Sequence, residues 1–141
     1  MLDKDLLKRK INQIDGYLRE IEPTLSLGTA DIVSDVLKLR AVERNFQLVV
    51  DTMLDINSYI IAAENLQAPN SLQETFFILG RAGVLPAALL EEMAPVVGLL
   101  KIVHEYEGIS TEKFVEDLKS GREQFGRYIV AIGEHMERQP E

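Results

Sequence analysis

The chain reads as an all-α protein, an antiparallel helical bundle in one domain spanning residues 1–141. Three observations predict this. Apolar residues recur at spacings of three and four over long stretches, the mark of helices with one buried stripe. No stretch alternates apolar and polar residues as a half-buried strand would. Proline, glycine and capping residues fall between the periodic stretches, and the short connections they leave favour antiparallel neighbours. The expectation is four long or composite helices plus a short one.

Taken in order, Lys4 to Ile21 carries Leu7, Ile11, Ile14, Leu18 and Ile21 on one stripe. Glu22-Pro23 is expected to end that helix, because a residue before proline is pushed out of the α region. Leu25 to Thr29 is a connector. From Asp31 to about Asn65 runs the longest periodic segment, with no proline or glycine inside. Apolar residues cover over half its circumference between Val49 and Ile61, which predicts a central helix packed on two sides. Ala68-Pro69-Asn70 breaks it. Ser71-Leu72-Gln73-Glu74 has the capping-box pattern and opens a short helix that Gly83 closes. Pro86 sits where a first helical residue would, and Pro95 kinks or restarts the helix that follows. Gly108 turns the chain, and Thr111 with Glu112 begins the last helix, whose stripe is Phe114, Leu118, Phe125, Ile129 and Ile132. Beyond Arg138 a loose tail is expected.

Composition narrows the function. The net charge is −8, the wrong sign for a protein that coats nucleic acid by phosphate contacts alone. Any RNA contact must then be local or shared with a more basic partner. There is no cysteine, hence no disulfide, thiolate metal site or cysteine nucleophile, which suits a cytoplasmic location. No apolar run approaches the ~20 residues of a membrane span, so no membrane is expected. The two histidines and the carboxylates show no metal-ligand spacing, and no phosphate-binding glycine loop or nucleophile elbow is present. No metal or cofactor is implied.

Two stretches remain. Arg40, Glu43, Arg44 and Gln47 form a polar stripe on the central helix. It faces either solvent, with ion pairs along the helix, or a cleft whose other groups compensate its charge. The second stretch, Gly98 to Ile109, holds His104, with Tyr106 two residues on and Gly108 behind. An imidazole between two helices, flanked by Glu105 and Glu107, has the chemistry of a general acid or base, or of a helix-end packing residue.

Arg40-Ala41-Val42-Glu43-Arg44-Asn45-Phe46-Gln47, Asp55-Ile56, Ala82-Gly83-Val84-Leu85-Pro86, Val97-Gly98-Leu99 and Val103-His104-Glu105-Tyr106 together resemble the HepT-like family. These are HEPN-domain ribonuclease toxins of HEPN/MNT toxin–antitoxin pairs. The likeness runs from about Leu6 to Ile132 in the right order. It implies a helical bundle of the HEPN type, a homodimer with a cleft at its two-fold axis, an RNA substrate and an MNT-type nucleotidyltransferase antitoxin as partner. The family signature is an arginine, usually followed by asparagine, then a few residues to a histidine and a tyrosine two later. His104 and Tyr106 match it; Leu99 and Leu100 stand where Arg-Asn would.

The resemblance implies metal-independent RNA cleavage by attack of the 2′-hydroxyl, which needs a proton acceptor and a cation for the phosphorane. An imidazole titrating near pH ~6.5 fits the first role. An arginine fills the second, and losing one such preorganised donor costs about 100- to 1000-fold in rate. Lys101 lies about 60° from His104 on a helix and is the expected replacement cation; Arg40, Arg44 or Arg81 could also bring a cation to the cleft from either subunit, and Arg40 and Arg44 are the expected substrate contacts. Tyr106 matches the tyrosine that receives AMP from the antitoxin, adding charge beside His104 that would repel RNA. His104 and Tyr106 point about 200° apart on a regular helix, so sharing one cleft requires unwinding near Gly108. The alternative reading is a non-catalytic module that binds a nucleotidyltransferase and serves as its substrate; a purely structural bundle is the third.

Overall fold

In a computed structural model the chain is described over residues 2–98 and 111–140, and every regular element there is a helix. They are α1 (Lys4–Leu25), α2 (Thr29–Val33), α3 (Val36–Ala63), α4 (Glu74–Arg81), α5 (Ala87–Gly98) and α6 (Thr111–Arg138).

Helix α1 begins at Asp3, whose carboxylate accepts from the Leu6 amide at 3.0 Å, as an N-cap should. It passes through Pro23 instead of stopping there. The ring deletes only one helical hydrogen bond, and continuing one turn buries Leu25 at 3% exposure beside Ile21. Ser26 then closes the helix, its amide and hydroxyl both donating to the Glu22 carbonyl at 3.1 and 2.9 Å.

The expected single helix from Asp31 is two. The apolar spacing is unbroken across Val33 and Val36, but Asp35 leaves the helical region and its carboxylate accepts from the amides of Leu37 and Lys38 at 3.1 and 3.3 Å. A short acceptor that can satisfy orphan amides starts a new helix whatever the apolar period says. The short α2 drives Ile32 fully into the core.

Only half of the capping box expected at Ser71 forms, because α4 itself starts at Glu74, with Gln73 before it, and the return bond misses the Ser71 amide. The Ser71 hydroxyl accepts from the Glu74 amide at 3.1 Å, and the Glu74 carboxylate turns back to the Asn70 amide at 3.4 Å. Gly83, at φ +80°, ends α4 with the Gly83 amide on the Gly80 carbonyl and Val84 on Leu79 at 2.9 Å, the left-handed stop that glycine alone adopts cheaply. Pro86 precedes α5 without being its first residue; its carbonyl accepts from Leu90. Pro95 lies inside α5, which runs on to Gly98. At Gly80 an added Cβ would meet Leu90 Cδ1 at 2.3 Å, so α4 and α5 cross where a side chain is missing.

Direction follows from the contacts. Lys10 reaches Asp55, Asn45 reaches Tyr17 and Glu20, and the Asp3 amide donates to the Tyr59 hydroxyl, so α1 and α3 are antiparallel. The termini of α1 and α6 are likewise opposed, through Lys4 to the Gln139 carbonyl at 3.0 Å and Arg122 to Glu22 at 2.9 Å. Helix α3 is central: Val42, Val49 and Ile60 are wholly buried. Phe46 stacks edge-on to Phe114 at 5.4 Å and tilts against Phe125 at 6.5 Å.

Candidate functional site

The segment singled out by the sequence joins α5 to α6. Both helices are anchored beside it. Leu89 and Met93 of α5 are buried at 1% and 0% exposure, and Phe114 and Val115 near the start of α6 at 4% and 0%. Arg127 of α6 pairs with Glu92 of α5. His104, Lys101, Tyr106 and Leu99 themselves lie outside the described residues.

Arg40 and Arg44 are described, and they project from the exposed side of α3. Arg40 bonds Glu43 at 2.5 Å and Arg44 reaches Gln47 at 3.4 Å, each within one turn. Within the single chain the stripe lies on the outer face of α3, with pairs along the helix. Arg81 is elsewhere, at the end of α4, donating to Gln67 at 3.4 Å. At ~1.5 Å rise per residue α3 puts over 25 Å between Arg40 and its own C-terminal end near Gln67, so the three arginines form no common patch.

Two polar groupings escaped the sequence reading. The fully buried Tyr128 donates its hydroxyl to Asn57 Oδ1 at 2.5 Å, with the Met53 carbonyl at 3.2 Å. Asn57 donates in turn to Thr75, which donates to the Leu72 carbonyl at 2.6 Å. This chain links α6, α3 and the start of α4. Burial alone pushes the Tyr128 phenol well above its ordinary range, so it stays a neutral donor. The signal available was polarity at stripe positions: Asn57 and Tyr128 fall among apolar neighbours at helical spacing. The second grouping is His135 Nε2 against Glu64 Oε2 at 2.6 Å, pinning the end of α3 to α6. Its imidazole is 7% exposed, so it holds two helices together and offers a substrate little access. Among the described residues no group of His, Asp or Glu is placed to hold a metal ion, and no helix is long and apolar enough to cross a membrane.

The comparisons with known proteins agree with one another. A tRNA nuclease HepT of Aphanizomenon flos-aquae is 24% identical over 132 residues, covering 93% of this chain and 90% of that protein. An mRNA nuclease HepT of Shewanella oneidensis is 24% identical over 129 residues, covering 91% and 96%. The fold superposes with a TM-score of 0.80 on the tri-AMPylated HEPN toxin of Shewanella oneidensis, solved in complex with its MNT antitoxin, at 23% identity over 95% of this chain and 99% of that one. The model of the ribonuclease HepT-like family matches residues 14–132, which takes in the central helix, the α5–α6 junction with His104 and Tyr106, and most of α6; the chain belongs to that family.

Proposed function

We propose that this chain is the toxin of a HEPN/MNT toxin–antitoxin pair, a metal-independent ribonuclease acting on tRNA or mRNA as a homodimer. Its antitoxin, an MNT-type nucleotidyltransferase, neutralises it by transferring AMP to Tyr106. The observation that carries this reading is the family match across residues 14–132, which includes the segment bearing His104 and Tyr106. Relatives of nearly full length are named as nucleases of tRNA and of mRNA, and a toxin of the same fold is AMPylated in complex with an MNT antitoxin.

In this reading His104 takes the proton from an RNA 2′-hydroxyl as its oxygen bonds to the adjacent phosphorus. The bond from phosphorus to the 5′-oxygen then breaks, and that oxygen takes back the proton held by His104, giving a cyclic phosphate and a 5′-hydroxyl end. Lys101 supplies the positive charge for the phosphorane, since Leu99 holds the place of the family arginine. A point-like ammonium lacks the bidentate fork of a guanidinium, so a slow enzyme is expected. AMP on Tyr106 adds a phosphodiester charge beside His104 and excludes the substrate phosphate. Arg40 and Arg44, expected as substrate contacts, lie on the outer face of α3.

The test is cleavage of total tRNA and of mRNA by purified chain. His104→Ala should abolish it, Lys101→Ala should lower it by about 100-fold, and Leu99→Arg should raise it by about that factor. Equal activity of the parent and His104→Ala refutes the enzyme. Leu99 itself favours one other reading, a non-catalytic module bound and modified by the nucleotidyltransferase. That reading expects harmless induced expression together with tight partner binding, whereas the toxin expects growth arrest that His104→Ala relieves.

A further inference from the structure

The outward face of α3 is patterned. At about 100° per residue, Leu37, Arg40, Arg44, Asp51, Asp55 and Ser58 fall within about 30° of one line along the helix. Leu37 is 79% exposed, Asp51 is half-buried, and the other four are exposed. Positions 40 and 55, 44 and 51, and 37 and 58 are each equidistant from a point between Gln47 and Leu48. Every cation on the line thus has an acid as its mirror image, and the bulky apolar Leu37 mirrors the small Ser58, with Ala62 one turn further on. An ordinary solvated face has no reason to invert its charge and its side-chain size about one point.

We propose that this stripe is where two copies of the chain meet, α3 against α3, antiparallel about a two-fold axis passing between Gln47 and Leu48. In that register Arg40 faces Asp55 of the other copy, Arg44 faces Asp51, and Leu37 enters the shallow end made by Ser58 and Ala62. Each contact occurs twice, as an isologous interface requires. Two near-antiparallel helices crossing at about 20° stay in reach over such a length.

Charges within the chain fit this register. Asp51 and Asp55 lie four apart on one helix face, an unfavourable like-charge pair. Lys10 offsets Asp55 at 3.4 Å, but among the described residues no side-chain hydrogen bond or ion pair involves the Asp51 carboxylate. Arg44 of the second copy supplies the missing cation. Glu43–Arg40 in one copy and Asp55–Lys10 in the other then join into an alternating network, which outweighs isolated surface pairs. Arg40 and Arg44 so hold the dimer together instead of gripping RNA.

The inference rests on the two-copy arrangement of the reading above, and it is tested apart from catalysis. Arg40→Asp/Arg44→Asp makes the stripe wholly acidic, and Asp51→Arg/Asp55→Arg makes it wholly basic. Light scattering after gel filtration at low salt should find the parent dimeric, and weaker at 1 M salt, where screening shortens to about 3 Å. Each variant, checked as folded by circular dichroism, should be monomeric, its self-association weakened by about 100-fold. That figure reflects four pairs worth about 2- to 5-fold each. Mixing the two variants should restore a one-to-one dimer, and the fourfold reversal in one chain should restore the homodimer. A monomeric parent overturns the proposal, and so do two variants that stay dimeric. A mixture that does not associate overturns it too. A dimer that survives both reversals moves the contact to another face and leaves the ribonuclease reading intact; that reading stands or falls on His104→Ala.

Discussion

Asn57 and Ser58 are neighbours in sequence and opposites in the structure. Asn57 is fully buried, and its amide is committed on both sides, accepting from Tyr128 and donating to Thr75. Ser58 is exposed, on the same outward line as Arg40 and Asp55. Inward, α3 carries polar groups only where each is paired, and among the described residues no buried side-chain nitrogen or oxygen lacks a partner. Outward, the pairing is uneven: Arg40 holds Glu43 at 2.5 Å, while Arg44 to Gln47 and Lys10 to Asp55 both stand at 3.4 Å. The difference is one of cost. An unpaired polar group in the core forfeits its solvation, while one on the surface turns to water. Inside, hydrogen bonds fix which helices meet; outside, charge is free to choose a partner chain.

Breaking the inward side should have the largest effect on stability. Asn57→Ala leaves a cavity and strips Tyr128 of its shortest acceptor and Thr75 of a donor, which should cost about 3 to 4 kcal/mol. For a chain of this size that lowers the melting temperature by about 10 °C or more. Ser58→Ala, one residue on, should change stability by less than about 0.5 kcal/mol. Equal losses at the two positions in thermal melts would erase the distinction between the faces.

A smaller and sharper probe is Tyr128→Phe, which keeps the ring against Phe76 at 6.2 Å and removes only the hydroxyl. Asn57 Oδ1 then has no donor, at a cost of about 1 to 2 kcal/mol. The variant should also alter behaviour in alkali. Burial raises the Tyr128 pKa above its unfolded value near 10.0. Its contribution is therefore complete below pH 10 and declines as pH rises toward the folded value, because only the unfolded chain can ionise there. Urea midpoints of the parent should fall more steeply above pH 10 than those of Tyr128→Phe, and parallel curves would contradict that.

Periodicity found what periodicity encodes. The long stripes of α1, α3 and α6 stand as the apolar spacing predicts, because burial of a continuous face is a local property of sequence. It passed over features set by single hydrogen bonds or by distant partners. Asp35 interrupts a stripe without disturbing its spacing, and Pro23 is carried by the burial of Leu25 two residues beyond it. Tyr128 and Asn57, like His135 and Glu64, are 71 residues apart and paired by the packing of α6 on α3. The candidate site was legible by a different route. His104 and Tyr106 follow from motif likeness in the α5–α6 junction, a short segment with too few residues for any periodic signal. The outward stripe of α3 showed its polarity in sequence, but that it lies on the outside of the chain came from the fold.

The smallest expected effect lies where the outward stripe begins. Asp35 caps α3 one residue before Val36, and its carboxylate is held below the ordinary range chiefly by the Lys38 amide, then by the Lys38 ammonium at 3.3 Å and the Leu37 amide. A carboxylate whose folded pKa is depressed adds stability above its unfolded value of 3.8 and loses it as pH falls through the folded one. Asn is also a good N-cap, so Asp35→Asn should keep the helix start and remove only the titrating part. At neutral pH the parent should melt slightly above the variant, since the ionised cap also meets the positive end of the helix dipole and the Lys38 charge. Below pH 3.8 that gap should close, and because every other carboxylate is common to both proteins, the difference between their melting curves isolates Asp35. A gap that persists unchanged down to pH 3 would mean the cap acts by shape alone, with its charge contributing nothing to where α3 begins.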